Sequence, residues 1–69
     1  MTIQEARAFF GEVVRYVTVT GFSLDRLRLV DTCKDGRLWF KKVGLDGNTL
    51  PGGFGIRPEL ISCLLTIRE

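Results

Sequence analysis

Apolar and polar residues alternate along two runs within residues 24–43, and Lys34-Asp35-Gly36 separates the runs. Aspartate tolerates the left-handed backbone region and glycine enters it at no steric cost, so Asp35-Gly36 in this context predicts a β-hairpin. If residues 33–36 form a four-residue loop, Leu29 lies opposite Phe40. The same register places Asp31 opposite Leu38.

Successive side chains of a strand point to opposite faces, so this hairpin is predicted to have one apolar and one basic, aromatic face. A two-residue loop shifts the partners but keeps the grouping, whereas a three-residue loop breaks it. We expect Leu27, Leu29, Leu38 and Phe40 on the apolar face, and Arg28, Val30, Trp39 and Lys41 on the other.

The N-terminal pattern is helical. Thr2 and Glu5 fit a capping box, in which each residue satisfies a backbone amide of the other. Apolar residues then recur at spacings of three and four, which predicts an amphipathic helix that ends before Gly21. They are Ala6, Phe9, Phe10, Val13, Val14 and Val17. The β-branched residues of 13–20 also suit a strand, so a short helix, a break at Gly11 and an additional strand is the alternative.

The remaining residues divide into a loop and a hydrophobic end. Residues 44–57 contain five glycines and a proline, which predicts loop or irregular strand, with a second tight turn at residues 46–48. In residues 58–69, polar residues at helical spacing leave an otherwise apolar surface, so we predict a helix that begins at Pro58. A strand with Ile61, Cys63, Leu65 and Ile67 on one side also fits.

These elements predict a single small α+β domain over residues 1–69: an N-terminal amphipathic helix packed on a small antiparallel sheet around the central hairpin, followed by a hydrophobic C-terminal helix or strand. A chain this short hides only about 60% of its unfolded surface on folding. Because 45% of its residues are hydrophobic, more than so small a core encloses, we expect self-association as a homodimer.

Charge and cysteine content narrow the classes of function. The net charge is only +2, which gives no global field toward DNA or anionic lipid. No apolar run is long enough to span a bilayer, and the N-terminus carries an acid where a secretion signal has basic and then apolar residues. Two cysteines, Cys33 and Cys63, thirty residues apart predict reduced, mostly buried thiols. We therefore expect a cytoplasmic protein.

The residue types argue against catalysis. The sequence contains no histidine, which removes the commonest general base and the Ser-His and Cys-His nucleophile pairs, and leaves no standard zinc site. Asp31 is the one carboxylate that the preferred register places on the apolar face, and we interpret it as a residue of the sheet margin paired with a lysine or arginine. The glycine-rich segment lacks the phosphate-loop spacing. We predict no enzyme, no cofactor, no metal and no small-molecule substrate.

Binding is the remaining function. Basic residues that alternate with an aromatic residue on a strand are typical of single-stranded nucleic-acid sites, but tryptophan and arginine are also the usual energetic centres of protein interfaces. We predict a protein-binding module, such as a regulator, inhibitor or accessory subunit, with nucleic-acid binding as the second candidate. The predicted binding residues are Arg28, Lys34, Arg37, Trp39, Lys41, Lys42, Phe54 (expected to project into a partner) and Arg57.

Overall fold

The computed structural model describes residues 1–67, in which five antiparallel strands form one sheet. The strands are β1 (Val13–Thr18), β2 (Ser23–Thr32), β3 (Leu38–Lys42), β4 (Phe54–Ile56) and β5 (Ile61–Thr66). Their order in the sheet is β4-β3-β2-β1-β5. A helix, α1 (Ile3–Ala6), continues into a 3₁₀ turn (Arg7–Phe9), and a second 3₁₀ turn (Pro58–Leu60) precedes β5. One short helix beside this sheet is compatible with the α+β class only loosely.

The long N-terminal helix predicted from the sequence is wrong. The capping box at Thr2 and Glu5 is present, but the α-helix ends at Ala6 and a glycine with φ of +82° follows at position 11. The β-branched run beyond it pairs with β2 on one side and β5 on the other. The β-branched residues of this run favour a strand, and pairing on both sides stabilises it. The structure therefore has the alternative arrangement, a short helix followed by a strand.

The C-terminal segment is a strand and not the preferred helix. Its predicted alternation is also wrong, since Ile61 and Leu64 are buried while Leu65 is half exposed. The pairs Val17↔Cys63 and Thr18↔Ile61 leave Ser62 as an extra residue between them. Such a β-bulge changes the face of every following side chain, which brings Leu64 into the core.

The central hairpin forms with its predicted apolar face, but its loop length differs from the predicted one. Cys33 N–H donates to Arg37 O at 2.7 Å, and Gly36 has φ of +88°, so the loop has three residues. A three-residue loop alone breaks the predicted grouping. A bulge at Val30 compensates for it, and Leu29 pairs with Phe40 as predicted. The apolar residues Leu27, Leu29, Leu38 and Phe40 are all buried.

The prediction that Asp31 lies on the apolar face is therefore wrong. In the observed register Thr32 lies opposite Leu38, and Asp31 lies opposite Trp39 on the outer face, where its side chain is exposed. A buried carboxylate without a partner costs several kcal/mol or is neutralised. The bulge at Val30 avoids that cost by moving the charge to solvent while it keeps the leucines inside.

The sheet curls around an aromatic cluster. Two strands separate β1 from β4, so in a flat sheet they would stand about 14 Å apart. The ring of Tyr16 on β1 nevertheless lies 6.3 Å from that of Phe54 on β4 and 5.6 Å from that of Phe40 on β3. Bulges increase local bending and twist, and β2 has a second one opposite Arg15, where Arg26 has φ of +59°. Buried Ala6 of α1 packs against the same core.

Candidate binding face

Trp39 lies on the outer face of the sheet and packs over Gly55 of β4 and over Gly53, which directly precedes this strand. Gly55 is its partner in the register. A methyl group on Gly55 would lie 3.5 Å from Cε3 of the indole, and one on Gly53 would lie only 2.8 Å from Nε1. The glycines thus provide the flat surface on which the indole ring rests. The ring is partly covered by β4 and partly exposed.

Basic residues flank Trp39 along the same face. Alternation along the strand puts Arg37, Trp39 and Lys41 on the outer side, while Leu38 and Phe40 are buried on the inner side. Arg28 of β2 is the register partner of Lys41 and shares their face. We name these four residues, Arg28, Arg37, Trp39 and Lys41, the tryptophan face.

Arg28 is held in place by neighbouring loops. Its guanidinium donates to the carbonyl oxygen of Gly11, and its Nε donates to Oγ1 of Thr49 at 3.0 Å. Thr49 is positioned by a bridge to Val43, which follows β3. A side chain fixed in this way loses little conformational freedom when a ligand binds, so its positive charge is presented at a defined point of the face.

Acidic residues partly offset the charge at the other end of the face. Asp35 Oδ2 lies 3.1 Å from Nε of Arg37, with both side chains about half exposed. Asp31 lies across from the indole. Exposed ion pairs contribute little to stability, and either partner is readily exchanged for a charge on another molecule. The face is therefore positive near Lys41 and mixed near Arg37.

The other predicted binding residues lie in three different places, and only Arg57 lies beside the tryptophan face. Lys34 is exposed in the turn of the hairpin. Arg57 follows β4 in extended conformation and lies 3.9 Å from Glu59, and continuation of the β3–β4 register places it next to Arg37. Lys42 does not join the tryptophan face. It lines a groove of about 250 Å³ with Leu50, Pro51, Gly53 and Phe54.

Phe54, which we expected to project into a partner, is packed inside the curled sheet and also lines the groove beside Lys42. Its ring stacks on Phe40 at 6.0 Å and contacts Tyr16 edge to face. The side chain is partly buried and belongs to the inner side of the curled sheet. The glycines on either side of it face Trp39 instead, and this role went unnoticed in the sequence although their spacing of two residues is a strand period.

A bidentate ion pair connects β1 and β2. Arg15 donates from Nε and Nη2 to the two carboxylate oxygens of Asp25, the latter contact at 2.9 Å. These hydrogen bonds lower the pKa of the Asp25 carboxyl below its ordinary value and raise that of the Arg15 guanidinium. Burial raises the pKa of the Tyr16 hydroxyl. None of these groups lines the groove beside Lys42, and we interpret the ion pair as structural.

Within residues 1–67, no group of three or more cysteine, aspartate or glutamate residues is placed to hold a metal ion. Cys33 and Cys63 are free thiols, each partly buried. No helix in the same range has the length and apolar character needed to cross a bilayer.

Comparison of the chain with models of protein families, with curated proteins and with solved structures finds no match. Inference about function therefore depends on the geometry of the tryptophan face.

Proposed function

We propose that this chain is a small non-catalytic protein-binding module whose tryptophan face binds an acidic surface of another protein. The observation that carries the proposal is the position of Trp39, a partly exposed indole resting on glycine backbone with cations on both sides along its strand. A regulator, an inhibitor or an accessory subunit would each use such a surface.

The geometry supports binding because neighbouring residues hold two side chains of the face in defined positions. Trp39 rests on β4, and Arg28 is tied to two loops. Tryptophan and arginine dominate the energetics of protein interfaces when they are held in defined positions, since little side-chain entropy is lost on association. The positive charge near Lys41 favours a partner rich in aspartate or glutamate.

A catalytic role has little support by comparison. An enzyme needs an acid, base or nucleophile of adjusted pKa in a cleft. The carboxylates with lowered pKa, those of Glu5, Asp25 and Asp46, lie in a helix cap, an exposed ion pair and a turn. We accordingly propose that the protein is not an enzyme and, from the same reasoning as in the sequence, that it acts in the cytoplasm.

Single-stranded nucleic acid is the second candidate partner. The observation that favours it is the alternation of Arg37, Trp39 and Lys41 on one strand face, with Arg28 beside Lys41. A base can stack on the indole while the cations contact phosphates. Asp31, which lies across from the indole, would repel a phosphate backbone there, and for this reason we favour protein.

Recovery of the tagged protein from nuclease-treated extract of its source cells tests the proposal. We expect one defined partner protein, and we expect the double variant Trp39→Ala, Lys41→Ala to lose it. Leu45→Ala is the matched control, because Leu45 is 93% exposed and lies in the loop after β3. Recovery of the same partner by wild type and double variant alike would reject the tryptophan face as the site.

Retention on an oligothymidylate column tests the second candidate. Nucleic-acid binding requires retention that falls steeply with salt and disappears in the double variant. Equal retention of wild type and double variant, or no retention of wild type, rejects it, and Leu45→Ala should be retained like wild type. We also propose that the chain self-associates as a homodimer, through a surface other than the tryptophan face.

A further inference from the structure

The two edges of the sheet differ in how they are protected. Among the described residues, the edges are β4 and β5. β4 has three residues and follows a proline and two glycines, which is a common way to prevent edge pairing. β5 has six residues, Ile61–Thr66, without a proline or a charge. Long uncharged edges are the ones that accept another strand.

The backbone hydrogen bonds show which groups of β5 face away from the sheet. Ile67 N–H donates to Val13 O at 2.9 Å, so Ile67 belongs to a hydrogen-bonded pair with β1. Such pairs alternate along an antiparallel ladder, and therefore Leu65 and Cys63 also direct their backbone groups to β1. The N–H and C=O groups of Leu64 and Thr66 then point to the open edge. The amino terminus covers the beginning of the strand by donating to Ile61 O at 3.0 Å.

The outer surface beside this edge is apolar. Leu65 is 50% exposed, and Leu60 and Val19, joined by a backbone hydrogen bond of 3.0 Å, are 49% and 62% exposed. Leu65 is the register partner of Arg15, whose charge is paired with Asp25. Exposed apolar side chains that flank an unpaired strand edge mark an association surface.

We propose that the occupant of this surface is a second copy of the chain, with the two β5 strands antiparallel and the two-fold axis at Leu64. The outward backbone groups of Leu64 then pair with those of Leu64 of the second copy. Cys63 lies opposite Leu65 of the second copy, and Ser62 opposite Thr66. Apolar side chains meet apolar ones and hydroxyls meet hydroxyls, which are favourable cross-strand pairs.

The distribution of charge along β5 favours contact between two copies. Two identical charged edges would oppose like charges at some positions, but the side chains of β5 carry none, and the Met1 ammonium on Ile61 O lies three residues from the proposed axis. A typical interface covers about 800 Å² on each partner, roughly a sixth of the 4604 Å² surface of this chain. A six-residue edge is too small to supply that area alone, so the side chains beside it, Leu65 foremost, must contribute. This inference develops the self-association part of the proposed function and does not depend on the tryptophan face.

The mass of the purified protein in light scattering, measured from micromolar to millimolar concentration, tests the inference. We expect two chains, and we expect Leu65→Lys to weaken dimerisation by about ten-fold or more, since it places two charges in the interface. The matched control is Val30→Lys, because Val30 is 39% exposed and lies on β2, away from the edge. A monomer at all concentrations, a ring or open chain of copies, or equal weakening by both variants would overturn the proposal.

A second variant tests which residues of the two β5 strands are paired, without adding charge to the interface. Leu65→Cys places a thiol opposite Cys63 of the second copy, in a pair whose Cα atoms are about 4.5 to 5.5 Å apart and so within reach of a disulfide. Oxidation with copper phenanthroline is expected to give a covalent dimer, in which Cys63 of each chain is bonded to the introduced thiol at position 65 of the other, as identified by peptide mass. Wild type should not crosslink through Cys63. A covalent dimer in wild type, or only monomer in the variant, would reject the two-fold axis at Leu64. Failure to recover a partner protein from cell extract would count against the tryptophan face and would leave the β5 dimer unaffected.

Discussion

At the scale of single residues, Gly53 is the position on which the candidate site most depends. Its φ of +142° is a conformation that side chains rarely adopt, and a methyl group there would lie 2.7 Å from Phe40 O and 2.8 Å from Nε1 of Trp39. The glycines of residues 44–57 predicted a loop or an irregular strand. Only the pairing of β3 with β4, which connects residues far apart in the chain, shows that a glycine is needed under the indole.

We predict that Gly53→Ala lowers the free energy of unfolding by about 1 to 3 kcal/mol and shifts the emission of Trp39, the single tryptophan of the chain. Urea unfolding followed by fluorescence measures both. Gly52→Ala is the control, because its φ is +91° but nothing lies within 4 Å of the added methyl group. We expect the control to lose stability with an unchanged emission maximum. Equal emission shifts in the two variants would contradict the packing of the indole on β4.

Asp25 gives a prediction for the dependence of stability on pH. Hydrogen bonds from Arg15 lower the pKa of this carboxyl in the folded state. A depressed folded pKa adds stability above the unfolded pKa, and that stability is lost as the pH falls through the folded value, a window that begins at about pH 4.

Asp25→Asn should therefore lower the urea midpoint at pH 7 but have little effect at pH 2. The measurement is the difference in urea midpoint between wild type and variant, determined at pH 7 and at pH 2. A difference that stays constant from pH 7 to pH 2 would show that the ion pair does not contribute to folding.

At the scale of elements, the hairpin shows what a pattern of residues can and cannot predict. Alternation predicted the apolar face and the pairing of Leu29 with Phe40, but the loop has three residues and not the predicted four, and the pairing holds because the bulge at Val30 compensates. Alternation and the turn did not predict the bulges at Val30 and Ser62. A bulge leaves one residue unpaired in the ladder, and its benefit is the burial of side chains several residues away, which no local pattern shows. The choice between helix and strand for Val13–Thr18 failed for a similar reason, since its two partner strands are distant in sequence.

Substitutions at Thr32 and Asp31 test the bulge at Val30. We predict that Thr32→Asp lowers the stability by about 1 to 3 kcal/mol, because this position lies opposite buried Leu38. Asp31→Thr should stay within about 0.5 kcal/mol of wild type, as is usual for exposed positions. Urea midpoints at pH 7 give both values. If Asp31→Thr stabilises the protein while Thr32→Asp has no effect, Asp31 faces the core and the observed register is wrong.

At the scale of the whole molecule, contacts between β1, β3 and β4 hold the curled sheet closed. Phe54 is the clearest case, since the sequence suggested a side chain that projects into a partner while the structure places its ring against Tyr16 and Phe40. A single aromatic residue among glycines has no local feature that distinguishes these roles. The distinction comes from the curvature, which depends on all five strands.

Phe54→Ala should accordingly destabilise the fold by about 3 kcal/mol and leave the fluorescence of Trp39 in the remaining folded protein unchanged. Thermal and urea unfolding provide the measurement. Leu50→Ala is a suitable control, because Leu50 lines the same groove but is 45% exposed. Full stability of Phe54→Ala would contradict the closure of the sheet by the aromatic cluster.

The central claim is that Trp39 is accessible to a partner and lies among positive charges. Collisional quenching of its fluorescence by iodide and by caesium at equal ionic strength tests this most directly, with each rate normalised to that of free tryptophanamide. We predict that iodide quenches Trp39 more efficiently than caesium and that Lys41→Ala reduces the difference. Inaccessibility to both ions, or equal normalised quenching by the two, would contradict the claim.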